Sequence, residues 1–167
     1  MIELSFPIAV EKLQKWMPHR APMLWIDEVV SVDAHQGQCR IQLRQDALYM
    51  SAGQLRVSSF IEWMAQSFGF VRIAQSLCHC KLEEPRPSLM PLTQAYLVAI
   101  KNANFQINSS SGLSLDQLLP GTSLLIQIHN IREVGPITLF DSTITLETGG
   151  VDSGQVLASA SLRVYSV

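Results

Sequence analysis

Two residues of this sequence are set where they could move protons, His19 and Glu62. His19 lies in Pro18-His19-Arg20-Ala21-Pro22, and two prolines in five residues fix an extended, rigid turn. A histidine held there is presented at one place, and histidine is the usual proton shuttle. The plain alternative is a loop histidine on the surface with no role. Glu62 sits amid Phe60, Ile61, Trp63 and Met64. A carboxylate in that company is costly to bury unless something pairs with it or uses it. Two placements satisfy it. One turns it outward into water or a salt bridge. The other keeps it in an apolar setting, where desolvation raises its pKa and lets it hold and donate a proton. Gln66 follows one turn further along the same side.

Glu62 and Gln66 belong to the stretch 57–80, VSSFIEWMAQSFGFVRIAQSLCHC, which reads as one long helix from Val57 to Leu77. Val57, Phe60, Ile61, Met64, Ala65, Phe68, Val71 and Leu77 mostly keep the i, i+3, i+4 spacing of a buried face. Trp63 and Phe70 beside that stripe make the helix apolar nearly all round, as for a helix covered on several sides.

The remaining elements have to wrap that helix. Val10 to Met17 is a short amphipathic helix stopped by Pro18. Met23 to Val32 and Gln38 to Leu43 are strands joined by the turn 33–37, a hairpin. Gln45 to Gln54 is an irregular loop containing Ser51 and Gly53. Residues 81–88 form a polar linker, and Leu89 to Ile107 reads as a long strand with some helical character. Residues 108–119 are a short excursion, after which Thr122 to Arg132, Ile137 to Glu147 and Val156 to Tyr165 alternate as strands. One long helix followed by strands alone implies an α+β architecture, an antiparallel sheet curled round the helix. The strands leave sheet edges that need cover, which points to a dimer joined edge to edge.

The 167 residues are expected to form one domain, 1–167. A composition of 47% hydrophobic and 16% charged residues is globular, not disordered. A net charge of −2 with no basic run argues against nucleic-acid binding. No apolar run reaches membrane-span length, and the N-terminal residues lack a signal-peptide pattern, so a cytoplasmic protein with no membrane partner is expected. Cys39, Cys78 and Cys80 are an odd set without a secretory signal, which suggests reduced thiols. Cys78-His79-Cys80 lacks a second ligand pair at zinc spacing, so no metal is expected.

Two motifs now combine. The run 17–29, Met-Pro-His-Arg-Ala-Pro-Met-Leu-Trp-Ile-Asp-Glu-Val, resembles the opening of the hot-dog fold 3-hydroxyacyl-carrier-protein dehydratases. Ile61-Glu62-Trp63-Met64-Ala65-Gln66 resembles their central-helix motif, and the form of both is most similar to the aryl-polyene-cluster subgroup. The resemblance implies a hot-dog fold, dehydration of 3-hydroxyacyl thioesters on an acyl carrier protein, no cofactor, and a site at the interface of a homodimer or of a heterodimer with a related subunit. It also exposes a departure. The standard members carry their catalytic histidine in a loop before the helix, and here that loop is Leu48-Tyr49-Met50-Ser51-Ala52-Gly53-Gln54. The missing histidine would fall near Leu48 or Tyr49. The chemistry needs a base for the Cα proton, an acid for the departing hydroxide and donors for the enolate-like oxygen. His19 as base and Glu62 as acid meet the first two needs. Gln66 and Gly53 are the expected substrate-positioning residues, and backbone N–H groups at the start of the helix are natural donors for the thioester oxygen. An acyl-thioester hydrolase and a catalytically weak partner subunit are the alternatives on the same fold.

Overall fold

Alternation in the second half of the chain becomes one large antiparallel sheet. The computed structural model describes residues 5–52, 54–78, 95–106, 118–147 and 154–166. Its strands are β1 (Ile8–Ala9), β2 (Glu28–Val32), β3 (Gly37–Gln42), β4 (Met50–Ser51), β5 (Gln54–Leu55), β6 (Ala95–Phe105), β7 (Ser123–Val134), β8 (Ile137–Glu147) and β9 (Val156–Ser166). Seven of them form one sheet in the order β1-β2-β3-β7-β8-β9-β6, and β4 pairs with β5. The helix α1 (Ser59–Cys78) packs on one face of that sheet, most closely over β2, β3 and β7. This is the expected α+β arrangement.

The inward positions follow the period of two. On β7, Leu124, Ile126 and Ile128 are fully buried; on β9, Ala158, Ala160, Leu162 and Val164 are buried. Gly37 lets the helix approach the sheet: a Cβ there would lie 2.6 Å from Val71 Cγ2.

Three details differ from the sequence reading. The buried apolar residues of α1 are Phe60, Trp63, Met64, Phe68, Phe70, Val71, Ile73 and Ala74. Phe60, Met64, Phe68 and Val71 of the expected stripe are buried, and so are Trp63 and Phe70 beside it, so the helix is covered on several sides; Ile61, Ala65 and Leu77 are only half-buried, and Val57 precedes the helix and is exposed. Phe68 stacks on Phe140 of β8 with 4.2 Å between ring centres, while Trp63 meets Tyr49 edge-on. The expected helix over Val10–Met17 is two 3-10 turns, Val10–Lys12 and Gln14–Trp16. Eight residues ending at a proline are too few for a stable α-helix, and tertiary burial of Val10, Leu13 and Met17 fixes the tighter turns instead. Only Glu28–Val32 of the expected strand Met23–Val32 joins the sheet, because the Trp25 N–H is bonded to α1.

The far edge strand, β6, is described from Ala95. Tyr96, Leu97, Val98 and Ile100 on it are exposed, so apolar side chains emerge on both of its faces. Much of the expected linker 81–88 and excursion 108–119 lies outside the described residues.

Candidate active site

The stripe of α1 that carries Glu62, Gln66 and Gly69 receives the segment 17–25, and each of the three residues receives a different part of it. Gly69 supplies room: a Cβ there would stand 2.8 Å from Met17 Sδ, so the missing side chain lets Met17 lie against the helix. Gln66 is fully buried and binds the segment by its backbone. Its Oε1 accepts from Trp25 N–H (3.0 Å), and its Nε2 donates to Met23 O (2.8 Å) and to Glu62 Oε1 (2.8 Å). Glu62, in the first turn of the helix, meets His19: Nε2 lies 3.2 Å from Oε1. Spacings of four and three residues put these positions on one face.

The turn that presents His19 is fixed locally. Met23 N–H donates to Arg20 O (2.8 Å), closing the turn around Ala21-Pro22. The Arg20 guanidinium donates to Gln14 O (2.9 Å), His19 O (2.8 Å) and Met17 O. Trp25 Nε1–H donates to Pro22 O at 2.9 Å. The prolines expected to hold His19 are thus helped by Arg20 and Trp25. The His19 and Glu62 side chains are each 34% exposed, so the pair is open to an incoming molecule. His19 Nδ1 is buried without a hydrogen-bond partner among the described residues.

Glu62 departs from expectation in its charge. The hydrogen bond from His19 holds its carboxyl below the ordinary value; burial acts the other way, and the Gln66 hydrogen bond adds to the lowering. Two donors aimed at one carboxylate favour the ionised form over the desolvated acid. In the free chain Glu62 is therefore a carboxylate, not the protonated acid expected from its apolar neighbours. Gln66 departs too. Both of its N–H groups and its oxygen are engaged within the chain, leaving no donor for a departing hydroxyl. It positions Glu62 and the 23–25 segment. Gly53 lies outside the described residues.

In the loop expected to hold the family's histidine, Tyr49 is a packing residue. Tyr49 is fully buried, set edge-on to Trp25 (5.5 Å between ring centres) and to Trp63 (5.2 Å). Its hydroxyl accepts from Arg44 N–H at 2.7 Å. Tyr49 is thus held by packing, and Leu48 beside it is exposed. The expected helix-start donors are partly engaged, since Ser59 and Phe60 N–H bond to Arg56 and Val57 carbonyls. A groove of about 470 Å3 opens beside this loop, lined by Met23, Trp25, Leu48, Met50 and Arg56 among others. Sequence reasoning missed the contributions of Gly69 and Arg20; the i, i+4, i+7 relation of Glu62, Gln66 and Gly69 was the available signal.

The model of the ApeP-like dehydratases, described as ApeP dehydratase, matches residues 11–167. No curated protein sequence matches the chain. Among solved structures, the dehydratase heterocomplex ApeI:P from Xenorhabdus doucetiae is similar with a TM-score of 0.69 at 19% identity, over 98% of this chain and 93% of that one. The smu.793 protein from Streptococcus mutans bound to acetyl CoA has a TM-score of 0.55 at 16% identity, over 90% of this chain and 94% of that one. A hypothetical thioesterase protein from Streptococcus pneumoniae has a TM-score of 0.54 at 12% identity, over 84% and 89%. These likenesses establish the hot-dog fold. The match over nearly the whole chain, with the His19 turn and the Glu62 helix both inside it, places the chain in the ApeP-like dehydratase family, the aryl-polyene type.

Proposed function

We propose that this chain removes water from a 3-hydroxyacyl thioester presented on an acyl carrier protein, with His19 and Glu62 as its acid–base pair. The observation that carries the reading is the 3.2 Å approach of His19 Nε2 to Glu62 Oε1 at an open site. In the free chain the shared proton rests on Nε2 and is donated to the carboxylate. A substrate entering between the two groups breaks that bond, and the shared proton passes to Glu62, leaving Nε2 with a free lone pair and Nδ1 with the ring's other proton. Glu62 then loses the largest influence holding its pKa down, while the burial that raises it remains. His19, freed, takes the Cα proton. Glu62, protonated in this state, gives its proton to the hydroxyl at C3. The C–O bond breaks, the Cα=Cβ bond forms and water leaves.

The chain is proposed to act in the cytoplasm, as a dimer with a second copy or a related hot-dog subunit. The apolar, doubly exposed edge strand β6 supports pairing by sheet extension. So does the heterocomplex formed by the structurally similar ApeI:P dehydratase. A second reading, hydrolysis of the thioester, is favoured by the ionised Glu62, which could activate water. Incubating the purified chain with a 3-hydroxyacyl carrier protein, alone and with a related subunit, separates the readings by product mass. Loss of water on the carrier supports dehydration, and release of free acid supports hydrolysis. Activity appearing only with a subunit that carries its own loop histidine moves the chemistry to that subunit.

A further inference from the structure

Three cations lie round one groove on the sheet face turned away from α1. The groove, about 190 Å3, has Lys101, Arg132, Asp141, Ser161 and Arg163 among its lining, with Asn102 and Asn130 at its sides and Leu139, Phe140 and Leu162 as its apolar part. Among the described residues none of the three cations has an ion-pair partner. The register places them. Lys101 faces Ser161, which faces Asp141. In the neighbouring row, Arg163 faces Leu139, which faces Arg132. Arg132 and Arg163 thus stand two strands apart, about 10 Å at the backbone, on either side of Leu139. Two long guanidinium side chains can close that gap over one bound group.

Two bulges flank the cluster. Asn102 (φ 51°) and Asn130 (φ 55°) are both left-handed, each at an interruption of the register. Bulges of this kind redirect side chains and break the flatness of a strand. The single carboxylate in the groove, Asp141, is turned to donors of its own: Ser161 Oγ (2.6 Å) and Asn130 Nδ2 (2.8 Å).

We propose that this groove binds a phosphate or diphosphate group, with Arg132 and Arg163 as its two forks and Lys101 as a third charge. Guanidinium groups match phosphate oxygens in pairs, and three cations outweigh one engaged carboxylate. The volume is below the roughly 300–1,000 Å3 of sites that hold whole drug-sized ligands, so the groove takes a charged group, not an entire nucleotide. The group's source is either free diphosphate or the phosphate-bearing arm of a thioester carrier such as coenzyme A.

Calorimetric titration of the full chain at low ionic strength, with sodium pyrophosphate and separately with coenzyme A, tests this. One saturable site per chain is expected, weakening as salt rises. Arg132→Gln/Arg163→Gln should weaken binding at least tenfold, and the charge-matched control Lys12→Gln/Lys15→Gln should leave it unchanged. Should the double variant fail to fold, Asp141→Asn, which removes the one negative charge, should tighten binding a few fold. Coenzyme A binding much tighter than pyrophosphate assigns the groove to a carrier arm; equal affinities assign it to free phosphates. Absence of saturable binding, an equal loss in the control, or weaker binding in Asp141→Asn overturns the proposal.

Discussion

Replacing His19 by alanine should separate chemistry from folding, because the two consequences differ in size. Among the described residues the His19 side chain has one partner, Glu62, at 3.2 Å, with both side chains 34% exposed. Exposed pairs of this kind contribute about 0.2–1 kcal/mol. In a chain of this length such a loss lowers the Tm by no more than about 4 °C. A lost general acid or base slows turnover by about 10²-fold or more, which is about 2.7 kcal/mol on the activation barrier. Glu62→Gln should do the same. The double variant should fall little below the worse single one, because the two act as a unit. Turnover is read as loss of water from a 3-hydroxyacyl carrier thioester, with thermal melting as the control. A folded His19→Ala protein with full turnover removes His19 from the mechanism. Loss of activity accompanied by a large fall in Tm would instead make His19 a structural residue.

The same pair has a pH signature. Glu62 titrates below its ordinary value of 4.5 in the folded chain, chiefly because of the His19 hydrogen bond. Its contribution to stability is therefore fully present above the unfolded value and is lost as pH falls through the folded one. In His19→Ala the burial that raises the pKa loses its main opponent. The carboxyl should then titrate at higher pH in a carbon NMR titration, and acidification should cost the variant less stability through this group. A Glu62 titration unchanged by the substitution would mean that the two groups are not bonded in solution.

Gly69→Val should slow turnover more than it lowers the Tm, because the new side chain meets Met17, whose flexible end can move but carries the His19 turn with it; unchanged turnover would detach that turn from the site. Arg40→Ala should lower stability at neutral pH by about 1 kcal/mol, since Arg40 forks onto Glu147 (2.5 and 2.7 Å) and also bonds Glu28 at partly exposed positions. Arg40 is the main cause of the lowered Glu147 pKa, so the loss should shrink as pH falls through that depressed value, as read by urea melts at pH 7 and pH 3. Tyr49→Phe should cost about 1 kcal/mol in the same assay through the unpaired Arg44 N–H, with turnover kept; a large loss of turnover would give the hydroxyl a part in the reaction.

Strand alternation carried the sheet: Thr122 to Arg132 alternates in the sequence, and its apolar positions Leu124, Ile126 and Ile128 share the buried face. Such a pattern survives folding because the pleat sends alternate residues to opposite faces whatever the neighbours are. The short N-terminal segment was less legible. A pattern of Val10, Leu13 and Met17 fits an α-helix and two 3-10 turns equally, and only the packing against the core decides between them. At the site, residue type brought His19 and Glu62 forward, and the structure sets them face to face. Their protonation was not legible. From the sequence Glu62 has apolar neighbours on both sides, which argues for a raised pKa. Those neighbours turn away round the helix, and the groups that face the carboxylate come from residue 19 and from one turn further along.

The central helix then shows why one apolar stretch can carry a polar site. Its aromatic side chains are buried, Phe60 against Phe105 of β6, Phe68 against Phe140 of β8 and Trp63 against Tyr49. The stripe that begins at Glu62 cannot pack on the sheet without burying an unpaired charge. It is covered instead by the chain segment 17–25, and the form of cover changes along its length: a histidine at Glu62, backbone groups at Gln66, a methionine at Gly69. The charge is left at the open end, and the apolar contact lies two turns further in. Closing the stripe with a larger side chain at position 69, or removing the amide at position 66, should therefore disturb one and the same property, the distance between His19 and Glu62. Gln66→Leu, which keeps volume but loses all three hydrogen bonds, is the sharper of the two. It should leave the Trp25 N–H unpaired, loosen the 23–25 segment and reduce turnover, even though by this geometry Gln66 does not touch the substrate. Turnover equal to wild type in a folded Gln66→Leu chain would show that His19 finds Glu62 without the stripe.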